Sequence, residues 1–212
     1  MSRPRYLLPV ALVMSVVLAA CGPTTTDLSA LSAPCATTPM PVVAVIEFEN
    51  TTGSSGTTVV GVETAATARL ITLLKESGCY TIVERSELQG IIERQGMESL
   101  DPIELAKAAG AGFVVTDTVT RATIAEPGGS IFGVTVGATT AEVEVDVRAT
   151  DIITGIVEVS MTGSGKASNP NVRINRVLGT SISYDDPTVG PLLAEAANGA
   201  VNQVVAAIRS EF

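Results

Sequence analysis

The chain has 212 residues, 46% hydrophobic and 3% aromatic, which suits one domain with short appendages and supplies enough apolar side chain for a core. Lys and Arg number 13 against 22 Asp and Glu, a net charge of −9, so the basic footprint of a nucleic-acid binder is missing. The absence of His removes Ser-His-Asp and Cys-His catalysis and His-ligated metal sites, and 3 Cys cannot complete a four-Cys zinc site.

Arg3 and Arg5 open the chain, followed by an apolar run from Leu7 to Leu18 broken only by Pro9 and Ser15, and then by Leu18-Ala19-Ala20-Cys21-Gly22. The run is too short for a mature spanning helix and ends in small residues, so residues 1–20 read as a secretory signal. Leu-Ala-Ala-Cys resembles the bacterial lipobox. That resemblance implies that Cys21 is the first mature residue, with diacylglycerol on its sulfur and an acyl chain on its nitrogen. Several buried chains, at about 0.8 kcal/mol per CH₂, give stable anchoring. An ordinary signal peptide followed by a chance Cys is the competing reading. Gly22, where an Asp would retain such a lipoprotein in the inner membrane, points to the outer membrane. Cleavage removes two Arg and no acid, which takes the mature chain from −9 to −11. An acidic surface keeps a secreted domain soluble without naming a partner.

Residues 21–41 hold the lipidated Cys and a Thr-, Ser-, Pro- and Ala-rich stretch from Pro23 to Pro41 that reads as a tether. Cys35 lies in it, and Cys79 stands at the start of a later strand. Both face an oxidising compartment if the export signal is correct. If the strands near Val42 and Tyr80 are parallel neighbours, their entrances adjoin and a Cys35–Cys79 disulfide is expected; two separate buried thiols are the alternative.

Residues 42–212 alternate strand and helix and then turn to β. Val42–Phe48 is an apolar strand, Glu49–Thr58 a loop rich in Asn, Thr, Gly and Ser, and Val59, Val62, Ala66, Leu70, Leu73 and Leu74 mark one stripe of a helix ending at Ser77-Gly78. Tyr80–Val83 is a second strand. Ser86-x-x-Gln89 has capping-box spacing before Leu88, Ile91 and Ile92. Asp101-Pro102-x-Glu104 starts a short helix that Gly110 stops, and Phe113–Val119 is a third strand. Val143, Val145 and Val147 alternate with Glu142, Glu144, Asp146 and Arg148, which predicts a strand with one apolar and one charged face. Asp151–Gly155 is a turn, Val157, Val159 and Met161 resume a strand, and Leu192, Leu193, Ala196, Ala200, Val201, Val204 and Ile208 form the stripe of a long amphipathic helix. The expected fold is a compact α/β sandwich with a mixed sheet. Two segments are long for loops, 120–140 with Pro127-Gly-Gly129 and 163–183 with Asn169-Pro-Asn171, and each suits an extended β-hairpin. A transmembrane strand needs about 9–11 residues, a length their halves reach only by continuing an adjoining sheet strand.

Four ordered pieces, Val-Ala-Val-Ile-Glu-Phe-Glu-Asn-Thr-Thr-Gly (43–53), Thr-Ile-Val-Glu-Arg-Ser-Glu-Leu (81–88), Ala-Gly-Ala-Gly-Phe-Val-Val (108–114) and Asp-Ile-Ile-Thr-Gly (151–155), lie behind the lipobox. Together they resemble the CsgG family, the curli production assembly/transport lipoproteins, over nearly all of the mature chain. The resemblance implies a periplasmic α/β domain whose two hairpins, at 120–140 and 163–183, join those of identical subunits in an oligomeric outer-membrane β-barrel. It implies a secretion channel for extracellular, curli-like fibre subunits, driven by diffusion, with no nucleotide, no nucleic acid and no cofactor beyond the lipid on Cys21. Its partners would be further copies of itself in a ring-shaped homo-oligomer, the outer membrane, the secreted subunits and accessory proteins. The loop at 49–58 falls where the family lines its pore constriction. There it would offer Asn50, Thr51, Thr52, Ser54, Ser55, Thr57 and Thr58, whereas the curli channel uses aromatic residues.

The aromatic girdles usual in membrane barrels are thin here, with Phe132 inside the first segment and Tyr184 just past the second. This departure favours a second expectation, a barrel-less periplasmic regulatory or scaffold lipoprotein resembling the penicillin-binding-protein activators. The short tether and the two inserts favour the channel. Glu142, Glu144 and Asp146 read as a solvated edge in preference to a calcium site, which needs a cage of further oxygen ligands. Gly163-Ser-Gly165-Lys166 lacks the first Gly and the final Ser or Thr of a phosphate loop, so nucleotide binding is not expected. Asp185-Asp186 before Pro187 caps the final helix. Ser and Thr have no base beside them, and an enzyme is not expected.

Overall fold

The computed structural model describes residues 35, 38–47, 49–52, 59–95, 101–126, 130–131, 134–135, 137–172 and 181–211. One mixed sheet organises them. Strand β1 (Val42–Val45) is central to its parallel half, between β4 (Thr81–Val83) and β5 (Phe113–Ala125); β2 (Glu49–Asn50) continues beside β5 past the end of β1. Strands β8 (Thr139–Asp151) and β9 (Val157–Asn169) complete the sheet in antiparallel order. Two small pairs stand apart from it: β3 (Val59–Val60) with β10 (Ile182–Ser183), and β6 (Ser130–Ile131) with β7 (Val134–Thr135).

Helices explain the hydropathy of each half. Helix α1 (Val62–Glu76) and the long α4 (Gly190–Glu211) cover one face, where Val45, Leu70, Leu73, Val143, Val145, Leu193 and Val204 meet. Helices α2 (Arg85–Gln95) and α3 (Pro102–Ala108) cover the other face of the parallel half, over Ala44, Val83, Leu88, Ile91, Leu105 and Val114. A parallel strand enclosed on both sides is uniformly apolar, as β1 is. Strand β8 has helical cover on one side, and its buried residues alternate from Thr139 to Ala149 as the Val/Glu pattern requires.

Several boundaries differ from the sequence reading: β1 ends at Val45 and not at Phe48, and β5 runs on from Val119 to Ala125. Helix α1 begins at Val62, after Gly61 turns the chain at φ 89°; Val59 is buried as a strand residue, so its place in the helical spacing is coincidental. Helix α2 begins at Arg85, with the Glu84 carbonyl accepting from the N–H groups of Glu87 (2.9 Å) and Leu88 (3.2 Å), so Ser86 lies inside the first turn and is not the cap. Strand β9 runs on to Asn169 through Gly163 and Gly165. A Cβ on Gly165 would lie 1.8 Å from the Ala196 carbonyl oxygen, and one on Gly163 would lie 2.3 Å from that of Ala200. These glycines seat α4 against the sheet and do not end the strand. Asp101 caps α3 as expected, its Oδ1 accepting from the Ile103 N–H at 2.9 Å. Asp186 acts one turn ahead of α4, where its Oδ1 accepts from the N–H groups of Thr188 (2.7 Å) and Val189 (3.2 Å).

Candidate functional site

The strand register gives the domain two functional ends. At the first, Val42 of β1 sits opposite Thr81 of β4, and Thr81 N–H donates to the Pro41 carbonyl at 3.0 Å. Cys35 and Cys79 are joined there by a disulfide with Cα atoms 5.3 Å apart. The bridge closes a separation of 44 residues, which in the chain-entropy account is worth roughly 4 kcal/mol. It also fixes where the tether leaves the domain. Cys21 and the rest of the tether lie outside the described residues. At the same end the β8–β9 turn is held by the Asp151 carboxylate, which accepts from the N–H groups of Ile153 and Thr154 at 2.8 Å and from the Thr154 hydroxyl at 3.0 Å. These bonds, the Thr154 N–H first among them, hold the Asp151 carboxyl below its ordinary range.

At the opposite end lies the base of the 49–58 loop. Strand β2 places Asn50 beside Val119 of β5. The Asn50 amide donates to the Val59 carbonyl at 2.9 Å and to Glu63 Oε2 at 2.8 Å, and its Oδ1 accepts from the Thr52 N–H and hydroxyl at 3.1 and 2.6 Å. Asn50 therefore clamps the two feet of the loop. Thr52 is buried, and the Thr51 hydroxyl donates to the Val119 carbonyl at 3.1 Å. Of the seven residues the resemblance places at a constriction, Asn50 and Thr52 hold the base and Thr51 sits exposed on its rim. Ser54, Ser55, Thr57 and Thr58 lie outside the described residues.

The β5–β8 hairpin continues beyond this loop at the same end, paired as far as Ala125 opposite Thr140, with the short β6–β7 pair farther out. Within segment 120–140, Ala122, Ile124, Thr139 and, just beyond it, Ala141 are buried against the α4 face. Segment 163–183 divides differently. Residues 163–169 belong to β9 beneath α4, Asn169 and Asn171 make a turn through a 2.8 Å bond, 173–180 lie outside the described residues, and 182–183 pair with β3. The described strands form an open sheet and no closed barrel, and no described helix is long and apolar enough to cross a membrane.

The acidic row on β8 is matched across the strands. Lys166 donates to Glu142 at 2.6 Å, Arg121 lies 3.4 Å from Glu144, and the Thr162 hydroxyl donates to Asp146 at 2.6 Å. The Lys166 bond holds the Glu142 carboxyl below its ordinary range. Among the described residues no group of His, Cys, Asp and Glu could hold a metal ion.

Asp117 went unnoticed in the sequence. It lies in phase with Val115 and Val119 on the core face of β5, is 8% exposed, and neither carboxylate oxygen has a hydrogen-bond partner. Burial pushes its carboxyl up to about 10. Its signal was available: strict alternation from Val115 places position 117 inward.

The family model described as "Curli production assembly/transport component CsgG" matches residues 24–211. No curated protein matches the chain. Among solved structures, lipoprotein GNA1162 from Neisseria meningitidis is similar at 17% identity and a TM-score of 0.48, covering 63% of this chain and 87% of that one. The LpoB C-terminal domain from Salmonella enterica is similar at 19% identity and a TM-score of 0.42, covering 65% and 87%. The PelC dodecamer from Paraburkholderia phytofirmans is similar at 16% identity and a TM-score of 0.45, covering 80% and 89%.

Proposed function

The chain belongs to the CsgG family, and from that premise we propose that it is an outer-membrane lipoprotein working as a ring of identical subunits in the secretion of unfolded extracellular fibre subunits. Passage is by diffusion, without nucleotide, cofactor or catalysis. The observation that carries this reading is the shared end of loop and hairpin. Asn50 fixes the 49–58 loop beside Val119, and the β5–β8 hairpin extends past it in the same direction. A ring of such subunits brings the loops to one lumen directly below the hairpins. Lipid on Cys21 holds the ring at the membrane. Cys21→Ala is expected to leave a folded, soluble periplasmic domain and to abolish both membrane anchoring and fibre secretion. Outer-membrane recovery of this variant at the normal level would refute the anchoring.

One observation favours the barrel-less regulatory or scaffold reading. The paired β5 and β8 strands are buried against the domain's own core as far out as Ile124 and Ala141, so this stretch of the hairpin serves the domain and is not free to cross a membrane. In that reading the ring or monomer stays on the periplasmic side and acts by touching a protein partner.

A further inference from the structure

We propose that the Cys35–Cys79 bond is a site of thiol–disulfide exchange, opened by the dithiol of another protein that attacks Cys35 and expels Cys79 against the Arg209 guanidinium.

The two sulfurs belong to residues in unlike surroundings. Cys35 is exposed on the stretch that leads to β1, whereas Cys79 is 2% exposed, between the end of α1 and the start of β4. Arg209, in the last turn of α4, reaches the same place, its Nη2 donating to Cys79 Sγ at 3.8 Å. The Ser77 carbonyl oxygen lies 3.6 Å from that sulfur. Arg209 is itself 7% exposed, and among the buried residues of α4 it alone is charged.

A neutral disulfide needs no counter-charge, and burying a guanidinium is costly. A cation at this place gains its use when the sulfur turns anionic. Burial opposes a thiolate, but an Arg in contact with it favours it, with little screening away from water. Exchange is fastest where the attacked sulfur is accessible and the departing thiolate is stabilised. Both criteria select the same polarity here. A thiolate of the dithiol attacks Cys35 Sγ. The new S–S bond forms as the Cys35–Cys79 bond breaks, and the electron pair of the broken bond leaves on Cys79 beside Arg209. The partner's second thiol, deprotonated, then attacks the mixed disulfide, which closes the partner's own disulfide and releases the Cys35 thiolate. Two electrons have passed to the cysteines, and water supplies their protons; the Ser77 carbonyl is placed to accept from the Cys79 thiol. Opening moves the last fixed point of the tether from Cys35 to Pro41, whose carbonyl accepts from the Thr81 N–H. Where the anchoring reading of Cys21 holds, the tether lengthens by six residues, ~21 Å at ~3.5 Å per residue.

The test uses the full lipidated chain in non-ionic detergent, exposed to reduced glutathione or dithiothreitol, quenched in acid, alkylated and mapped by peptide mass. Glutathione should be found on Cys35, with Cys79 as the free thiol, while circular dichroism stays that of the folded domain. Dithiothreitol should release both thiols without denaturant. Arg209→Gln should slow reduction at least tenfold and shift its equilibrium at least tenfold towards the disulfide, and Arg209→Lys should restore most of both. Should Arg209→Gln fail to fold, the position of glutathione in the wild type decides. Cys21→Ala should exchange as the wild type does, so loss of the anchoring reading leaves this one standing. Glutathione on Cys79, reduction only in denaturant, or equal rates in folded Arg209→Gln would overturn the proposal.

Discussion

At the scale of one residue, Asp117 dominates the expected pH behaviour of the domain. The folded state holds its carboxyl proton up to about 10, against an ordinary value of 3.8. The stability linked to that proton is fully present below the ordinary value and falls as pH rises towards the folded one. The slope is up to about 1.4 kcal/mol per pH unit, because the unfolded chain gains by ionising. The chain has no His to blur the interval. The lowered carboxyls of Glu142 and Asp151 act in acid, with the opposite sign, and their contribution is complete before neutrality. Urea unfolding at pH 5, 6.5 and 8 should show the wild type weakening steadily, while Asp117→Asn stays flat and ends more stable at pH 8. Parallel slopes for the two proteins would contradict the assignment.

At the scale of elements, the contact of α4 with β9 rests on small residues. Gly163 and Gly165 face the Ala196 and Ala200 backbone, and the Gly199 position lies against Gly165. Gln203 reinforces the contact, its amide donating to the Ser164 carbonyl at 2.8 Å and its oxygen accepting the Ser164 N–H at 3.1 Å. That pair occupies the outer edge of β9, where an unpaired strand invites aggregation. Gly165→Ala must push the helix outward and should cost about 3 kcal/mol or more. Gly78→Ala, at φ 69° in open space, should cost about 1 kcal/mol. Thermal unfolding separates them, and equal small effects would show that α4 does not sit this close. The same contact explains what could be read from the chain. Patterns set by one element alone were legible: the apolar run of β1, the Asp101 cap and the β8 alternation. Features set by a partner element were not. The tight seat of Gly163 and Gly165 under α4 has no signal in the chain because α4 is distant in sequence. Val59 fitted the helical spacing although β10 claims it. Ser86 had capping spacing, but β4 hands the chain to α2 too early for it to act. Asn50 and Thr52 read as loop surface because the partners of Asn50, Val59 and Glu63, lie across the loop, and Thr52 is held in turn by Asn50.

At the scale of the whole molecule, the tether and the hairpin leave from opposite ends. From the Phe113 level to Ala125 the sheet is about 40 Å long at ~3.3 Å per residue. The chain from Cys21 to the disulfide at Cys35 reaches about 49 Å at ~3.5 Å per residue. Lipid and hairpin can meet one membrane only if the tether runs back along nearly the whole domain. Deleting Thr24–Ala30 halves that reach. It should leave the lipoprotein anchored and folded but keep the hairpin from the membrane. A Gly128→Cys thiol, labelled from outside the cell by an impermeant reagent in the full-length chain, should then become unreactive. Unchanged labelling would show that the lipid end does not constrain the hairpin.

Assembly of subunits into a pore is what separates the channel from the scaffold. Detergent-extracted protein should behave in light scattering as a large homo-oligomer and, in a planar lipid bilayer, open stable, wide single-channel conductances. A monomer or dimer without conductance would contradict the secretion channel and leave the periplasmic scaffold as the reading to pursue.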